Sequence, residues 1–476
     1  MSRTLTSQFS FADLEMQHQG VELDPELRIV SELLDENAAL VELLRKDLSR
    51  GLKNPNAGRN GIAPSQVLRS LTLMRIKNWD YRELRERIND GYTLRGFTQF
   101  DGQRVPKHDA FNRAFLRITP ATLQTINQTV IQAAVKLGME DGTKLRVDTT
   151  VVETNIHYPS DATLLWDVVR TVTRLIQDLD KKLPKGVNGF TNRTRSAQRR
   201  MQQLQRMTPK QRQERQQEMY RELIRITEQV IENARQVAGK IKIVKGMDIL
   251  TEAAIQQLGK EVTRFSELGD KVVDQAKRRV LNGEQVPSEE KIYSIFEPHT
   301  DLIKRGKAQK PVEFGHKVLL AESARGLITD YMVLDGNPAD ADHVLGTLDR
   351  HNKLFGHVPD CYTTDRGFFS AENVKACEDA KVKEVCIPQR GGQKSDEQAE
   401  RERSKWFRNG QRFRVGIEGR ISVLFRGRGM KRCRAHGEEQ FEVLVGAAAL
   451  ANNLLKIAEW IKNGKPKLKA KTAKAA

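Results

Sequence analysis

Three acidic residues in this 476-residue chain stand where acids could do chemistry. Asp148 lies in Lys144-Leu-Arg-Val-Asp-Thr-Thr-Val-Val152, a β-branched, partly alternating run that predicts a strand. Leu145 and Val147 share one face of it and Asp148 lies on the other. Asp is depleted in strands and costly if buried unpaired, so a purely structural role explains it poorly. Asp365 ends a second short strand, Cys361 to Asp365, at Asp365-Arg-Gly367. Taken alone, an Asp there is most often a turn residue. Glu418 falls in a helical segment, Phe413 to Leu424, one turn after Arg414. An i,i+4 ion pair worth roughly 0.2–0.5 kcal/mol would account for it. No single acid is decisive, but the set is coherent. Converging carboxylates can hold two divalent ions about 3.5–4 Å apart, which serve an attacking and a leaving oxygen at a phosphodiester. Magnesium prefers oxygen ligands and keeps several waters, so a few carboxylates suffice. In open α/β sheets such sites form beyond strand ends, which favours Asp365. Glu153, five residues from Asp148, and Glu438, beyond the glycine-rich 426–430 turn, are the rivals for the third position.

The elements that must position these acids follow from periodicity. To about Gly138 the chain reads as helical: apolar residues recur at helical spacing over Glu26 to Asp47, and the Gly/Asn/Pro-rich run from Gly51 to Pro64 interrupts them. Further helices are expected from Ser65, over Tyr81 to Asn89 with Asp80 as cap, over His108 to Ile118, and from Pro120 to Leu137. Such short helices with basic outer faces suit a DNA-binding module, or simply a domain packed on its neighbour. After the first strand the strand pattern vanishes from Asp161 to about Asn282, where the sequence is polar, helical and densely basic around Arg199, Arg200 and Arg206. That run is either a solvated helix face or a nucleic-acid contact.

Strands return as a hairpin, His316 to Ala321 and Leu327 to Leu334. An amphipathic helix follows over Asp340 to Leu354 with Val344, Leu345 and Leu348 inward; then the Asp365 strand, a helix over Ser370 to Lys381, a strand over Glu384 to Ile387, and a mobile loop over Arg390 to Arg403. Helices around Phe413 to Leu424 and Glu439 to Ile461 close the ordered chain, and the Lys/Ala-rich tail from Lys462 is expected to be disordered. The sum is a mixed α/β layer architecture interrupted once by a helical insertion.

Composition narrows the partners. A formal net charge of +18 points to a polyanion. No stretch approaches the roughly 20 apolar residues of a membrane span, and the N-terminus lacks a secretory pattern. Cys361, Cys377, Cys386 and Cys433 form no CxxC or zinc-ligand spacing, so they are expected as reduced, mostly buried thiols of a cytosolic protein.

Three stretches, Val147-Asp-Thr-Thr150, Thr363-Thr-Asp-Arg-Gly-Phe368 and Gly410-Gln-Arg-Phe-Arg-Val-Gly-Ile-Glu-Gly-Arg420, resemble the DDE transposases of bacterial insertion sequences. The helical region Gly61 to Leu137 is similar to the N-terminal domain of such enzymes. The resemblance implies an α/β fold: an RNase-H-like mixed-sheet catalytic core over 141–160 and 283–461, an all-helical N-terminal DNA-binding domain over 1–140, a helical insertion over 161–282 and a basic tail over 462–476. It implies that Asp148, Asp365 and Glu418 are catalytic and hold Mg2+ or Mn2+, two ions, with carboxyl oxygens in reach of a common pair. It further implies cleavage and strand transfer at terminal inverted repeats, by water and then by the freed 3′ hydroxyl. The partners would be double-stranded DNA, both repeats and target, bound by a homodimer in a bacterial, nucleoid-associated cytoplasmic setting without a membrane. Arg414 matches the family's Arg four residues before the Glu. Gln411 and Phe425 stand where the family has Tyr and Lys, with basic Arg420, Arg426 and Arg428 nearby. Arg414 and Arg420, with Arg199, Arg200 and Arg206, are therefore the expected DNA contacts. Gly416 and Gly419 each weaken a helix by about 1 kcal/mol relative to Ala, which close packing or close approach of DNA would explain. His157 and Tyr158 stand near the first acid in sequence, and Trp166 and Trp406 fit a core better than a base-stacking role. A metal-dependent nuclease, a non-catalytic DNA-binding descendant and an RNA-binding protein are the competing readings; no KH, RRM or zinc-knuckle pattern favours the last.

Overall fold

The structure, a computed structural model, describes residues 20–54, 61–183, 186–187, 189–241, 248–304 and 311–464. The tail expected to be disordered lies, past residue 464, outside the described residues.

Helices come first: α1 (Pro25–Asp35), α2 (Ala38–Ser49), α3 (Pro64–Lys77), α4 (Tyr81–Asp90), α5 (Tyr92–Phe97), α6 (His108–Phe115) and α7 (Pro120–Lys136). Asp24 caps α1, and Asp80 caps α4 by accepting from the Arg82 and Glu83 amides at 2.8 and 2.9 Å. Then follow β1 (Lys144–Thr154), α8 (Asp161–Asp180), α9 (Thr194–Arg206), α10 (Pro209–Ile241), α11 (Ile249–Ala276), β2 (Asp301–Lys304), β3 (Val312–Ser323) and β4 (Ile328–Leu334). The chain continues through α12 (Val344–Phe355), β5 (Cys361–Thr363), α13 (Ala371–Asp379), β6 (Glu384–Cys386), α14 (Asp396–Arg403), α15 (Lys405–Gly427), β7 (Arg432–Cys433) and α16 (Glu438–Lys462). It divides into two compact units, one of Met1–Glu153 with Lys317–Ala476 and one of Thr154–His316.

In the first unit β1 is central. β3 lies beside it on one side and pairs antiparallel with β4; β5 and then β6 run parallel on the other side. The period-2 pattern of β1 sorts its side chains as expected. Leu145 and Val147 face Val344 and Leu348 of α12 and Cys377 of α13, whereas Val152 faces Leu424 of α15 and Phe441 and Val445 of α16. The sheet is thus covered on both faces, which excludes water from its parallel half.

Helix α16 also supplies Leu450, Leu454 and Ile457 to a core built with Leu33, Leu68, Leu73 and Ile126 of the N-terminal helices. Those helices are therefore part of the same compact unit as the sheet. By length and hydropathy α16 could cross a membrane, which the expectation from the sequence missed, but 78% of its most apolar stretch is buried inside the protein. It is a core helix.

Among the described residues the second unit holds four α-helices. α8, α10 and α11 pack on one another and α9 packs on α8 and α10, around Val168, Val172, Leu223, Val230 and Val262. Between Asp161 and Asn282 the described residues form helices and turns and no strand. Gly269 lets α11 approach closely, since a Cβ there would stand 2.8 Å from Val168 and from Ile231. β2 pairs antiparallel with residues 312–315 of β3.

Three local expectations need correction. Leu345 is 53% exposed rather than inward, because a 3-10 turn over Asp340–His343 precedes α12 and resets its phase. The stretch 390–403 contains α14, capped by Ser395 accepting from the Gln398 amide at 3.2 Å. The helix bearing Glu418 is longer than the apolar pattern indicates, starting at Lys405 with Ser404 as its cap.

Candidate active site

The register of the two parallel strands brings the first pair of acids together. Arg146 on β1 stands opposite Thr363 on β5. Two residues further along each chain are Asp148 and Asp365, at the same level beyond the end of β5. Asp148 is 6% exposed, and its Oδ1 accepts from the Thr149 amide at 2.7 Å. Asp365 is a turn residue, as its sequence context alone suggests. Its Oδ1 caps the 3-10 turn Arg366–Phe368 by accepting from the Gly367 amide at 2.8 Å. Its Oδ2 faces Arg414 at 4.0 Å.

Helix α15 brings the rest. Arg414 Nη2 lies 3.0 Å from Asp148 Oδ2, and its Nη1 lies 3.2 Å from Glu418 Oε1. One guanidinium therefore reaches all three acids. Glu418 is the most open of them, with a side chain 63% exposed. Among the described residues Arg414 Nε is buried without a hydrogen-bond partner, so the group's position is set by charge more than by saturated hydrogen bonding.

An interior ion network anchors α15 at this distance from the sheet. Glu322 on β3 is fully buried, accepting from Arg146 Nε on β1 and from Arg420 Nε on α15, both at 2.8 Å. Arg146 Nη1 also donates to the Phe413 carbonyl at 2.6 Å, and its guanidinium lies 4.7 Å from the Phe413 ring. Gly416 gives that guanidinium room, because a Cβ there would come within 2.2 Å of Arg146 Nη1. Arg146 is two residues before Asp148 and Arg420 two after Glu418, so the network sets the separation of the first and third acids. Such buried ions hold only when well paired, and these are. Arg420, expected to contact DNA, turns inward to Glu322 and to Asn452 Oδ1 at 3.1 Å.

A fourth acid escaped the sequence reading. Asp340 Oδ1 accepts from Thr149 Oγ1 at 2.9 Å and pairs with the buried Lys317 Nζ at 2.7 Å. A Cβ on Gly367 would lie 2.7 Å from Asp340 Oδ2 and 3.0 Å from Asp365 Oδ1, so the absence of a side chain there lets the two turns meet. The Gly-Asn-Pro-Ala-Asp run 336–340 was the only hint of it in the sequence.

Glu153 pairs with Arg432 at 2.7 Å. Glu438 begins α16. In the second unit His157 pairs with Asp167 at 3.2 Å, Tyr158 packs edge-on against Phe314, and Trp166 packs on the helical core. Trp406 packs beside Phe407 on Cys361 and Cys386. Arg199 and Arg206 are exposed on α9, while Arg200 is paired with Glu222. All four cysteines are buried, and none is in a disulfide. Burial pushes the Cys377 thiol up to about 12, and the hydrogen bond with Cys361, then burial, pushes Cys386 up further. Neither is a thiolate nucleophile.

Carboxylates are the hard oxygen donors that divalent ions of the magnesium kind prefer, so Asp148, Asp365 and Glu418 fit a metal in kind. Among the described residues no group of three or more His, Cys, Asp or Glu is close enough to hold a metal ion. The expected convergence on a shared ion pair is replaced by convergence on Arg414. The reason is electrostatic: like charges in a half-buried site repel, and the guanidinium stands in as their cation.

Residues 15–117 match the family described as Transposase domain (DUF772), and residues 294–454 match the family described as Transposase DDE domain. The second match contains Asp365 and Glu418; β1 with Asp148 lies between the two. No curated protein and no solved structure matches the chain. The mixed sheet, with a hairpin beside a central first strand and two parallel strands beyond it, is an RNase-H-like core joined to helical N-terminal elements. The chain belongs to the DDE transposases of insertion sequences. Transposases act on DNA, and this family normally uses divalent metal ions.

Proposed function

We propose that this transposase cleaves DNA at the terminal inverted repeats of its element and joins the freed ends to target DNA, with Asp148, Asp365 and Glu418 as the catalytic acids. The observation that carries the reading is the single guanidinium of Arg414 in reach of all three. Three carboxylates drawn from β1, from the end of β5 and from α15 have no reason to share one cation in a purely structural ion pair.

Each acid has a distinct part. Asp148 is fixed by burial and by the Thr149 amide, and so defines the site's origin. Asp365 is fixed at one oxygen by its turn and leaves the other facing the site. Glu418, exposed on its helix, is the member free to move when substrate enters. These three would hold Mg2+ or Mn2+, two ions in our reading, and the bound metal would supply Lewis acidity at the scissile phosphate. Arg414 holds the acids together beforehand, then becomes available to a phosphate oxygen once another cation takes its place. Exposed Arg199 and Arg206 on α9 serve duplex binding, as do the N-terminal helices, and two copies of the chain pair the two ends of the element in the cytoplasm.

A nuclease that only hydrolyses would use the same three acids. Incubating the protein with Mg2+ and duplexes bearing the element's ends, together with a supercoiled plasmid, separates the two. The transposase reading expects end fragments covalently joined to plasmid. Cleavage with no joined product would leave only the nuclease.

A further inference from the structure

The second unit contains a cavity of about 850 Å3 formed where α10 begins, beside the segment after α11 and β2. That volume lies within the range of small-ligand sites, about 300–1,000 Å3. Its lining is mostly polar and charged. Arg212, Arg279, Lys291 and Lys304 line it together with the rings of Tyr220 and Tyr293.

The acids at the cavity are already neutralised. Asp161 is held by Arg279 Nη1 at 2.8 and 3.0 Å, and Glu284 by Arg278 Nε at 2.9 and 3.0 Å. Among the described residues Arg212, Lys291 and Lys304 take part in no ion pair with the protein. The Lys291 ammonium is held below the usual lysine range, first by burial and then by the Arg279 cation, with Lys304 acting in the same direction. Unpaired like charges gathered around a cavity are stabilised by an anion that spans them. A phosphate ester meets that need, since it offers several acceptor oxygens to Lys and Arg at once.

We infer that this cavity seats backbone phosphates of a DNA strand on Arg212, Lys291 and Lys304, with Tyr220 and Tyr293 in the same lining available to the attached nucleoside. A strand is favoured over a free nucleotide by the helix just before α10 in sequence. α9 exposes Arg195, Arg199 and Arg206, so positive charge extends past what a single nucleotide could use. The inference rests on the DNA reading above and adds to it a defined phosphate site in the helical unit, which contains none of the three acids.

The test uses the full-length protein and a labelled 20-base-pair duplex, with Lys291→Gln/Lys304→Gln compared against Lys260→Gln/Lys271→Gln. The second pair removes the same charge from exposed positions of α11. The cavity variant should weaken binding roughly tenfold and lower the log–log salt slope by about 1.8, at roughly 0.9 per lost phosphate contact. The control pair should change neither by much. Equal weakening by both pairs, or none by either while the wild type still binds, overturns the cavity site and leaves the DNA reading standing. Failure of the wild type to bind duplex at any salt overturns both. Thermal stabilisation by dAMP or pyrophosphate that the cavity variant loses, with duplex affinity unchanged, would assign the cavity to a free nucleotide instead.

Discussion

Arg414 Nη2 stands 3.0 Å from Asp148 Oδ2, joining α15 to β1 across 266 positions of sequence. Both side chains are largely buried, at 17% and 9% exposure. Removing one member of such a pair leaves the other as an uncompensated buried charge, which costs about 3 kcal/mol or more. Arg414→Gln should therefore melt lower than wild type in the absence of divalent ions. It should then be stabilised more by Mg2+ than wild type is, since no resident guanidinium has to be displaced. Thermal denaturation with and without Mg2+ measures both effects. Unchanged stability, with equal Mg2+ responses, would mean that Arg414 is not the stand-in cation.

The third acid can be assigned by two variants. Glu418 is exposed, so Glu418→Gln should leave stability within about 0.5 kcal/mol of wild type while Mg2+-dependent cleavage is lost. Glu153→Gln should retain cleavage while losing its charged pairing with Arg432. Full cleavage by Glu418→Gln together with loss in Glu153→Gln would move the role to Glu153.

Much of this site was legible because it depends on short-range pattern. Alternation over Lys144 to Val152 places Asp148 opposite Leu145 and Val147, and the strand before Asp365 announces the turn. The i,i+4 spacing exposes the Arg414–Glu418 pair but cannot reveal that the same guanidinium also serves Asp148 and Asp365. The Arg146–Glu322–Arg420 network was invisible for the same reason, its partners being 176 and 98 positions apart. Residue type alone made Arg420 look like a DNA contact, since only tertiary packing decides whether a guanidinium faces inward. Asp340 reaches the site through a 3-10 turn, a conformation with little periodicity to read. The two-residue β7 and four-residue β2 are likewise too short to leave an alternation in the sequence.

Two glycines of α15 should respond to alanine with opposite signs. A Cβ on Gly410 would sit 2.2 Å from Cys386 Sγ, so α15 would have to move off β6. Overpacking of that kind costs about 1–3 kcal/mol. At Gly419 nothing lies within 4 Å of the added carbon, and helix propensity should give back up to about 1 kcal/mol. Denaturant midpoints at constant m-value measure both changes. A stabilising Gly410→Ala would contradict the close contact between α15 and β6.

Duplex affinity should fall steeply with salt. The exposed arginines of α9 and the overall charge of +18 imply neutralisation of several phosphates, each contributing about −0.9 to the log–log slope. Fluorescence anisotropy over a salt series gives the slope, and a flat response would count against DNA binding altogether.

Stability should also depend on the protonation of one histidine outside the site. His351 is 3% exposed, its Nε2 donating to the Gly142 carbonyl at 2.9 Å while Nδ1 is buried without a partner among the described residues. Burial lowers its pKa from 6.5 to about 4. At pH above about 6.5 the ring is neutral in both folded and unfolded chains, and no stability is lost through it. Between about 6.5 and 4 the unfolded chain takes up a proton that the folded chain refuses, so stability falls as pH falls. Below about 4 both forms are protonated and the loss levels off, at about 3 kcal/mol by linkage. His351→Gln keeps an N–H for the Gly142 carbonyl and cannot titrate. Its stability relative to wild type should therefore improve as pH drops through that window, with the contributions of the carboxylates cancelling in the difference. Urea denaturation of both proteins from pH 8 to pH 4 measures it, and parallel curves would show that His351 does not titrate with folding.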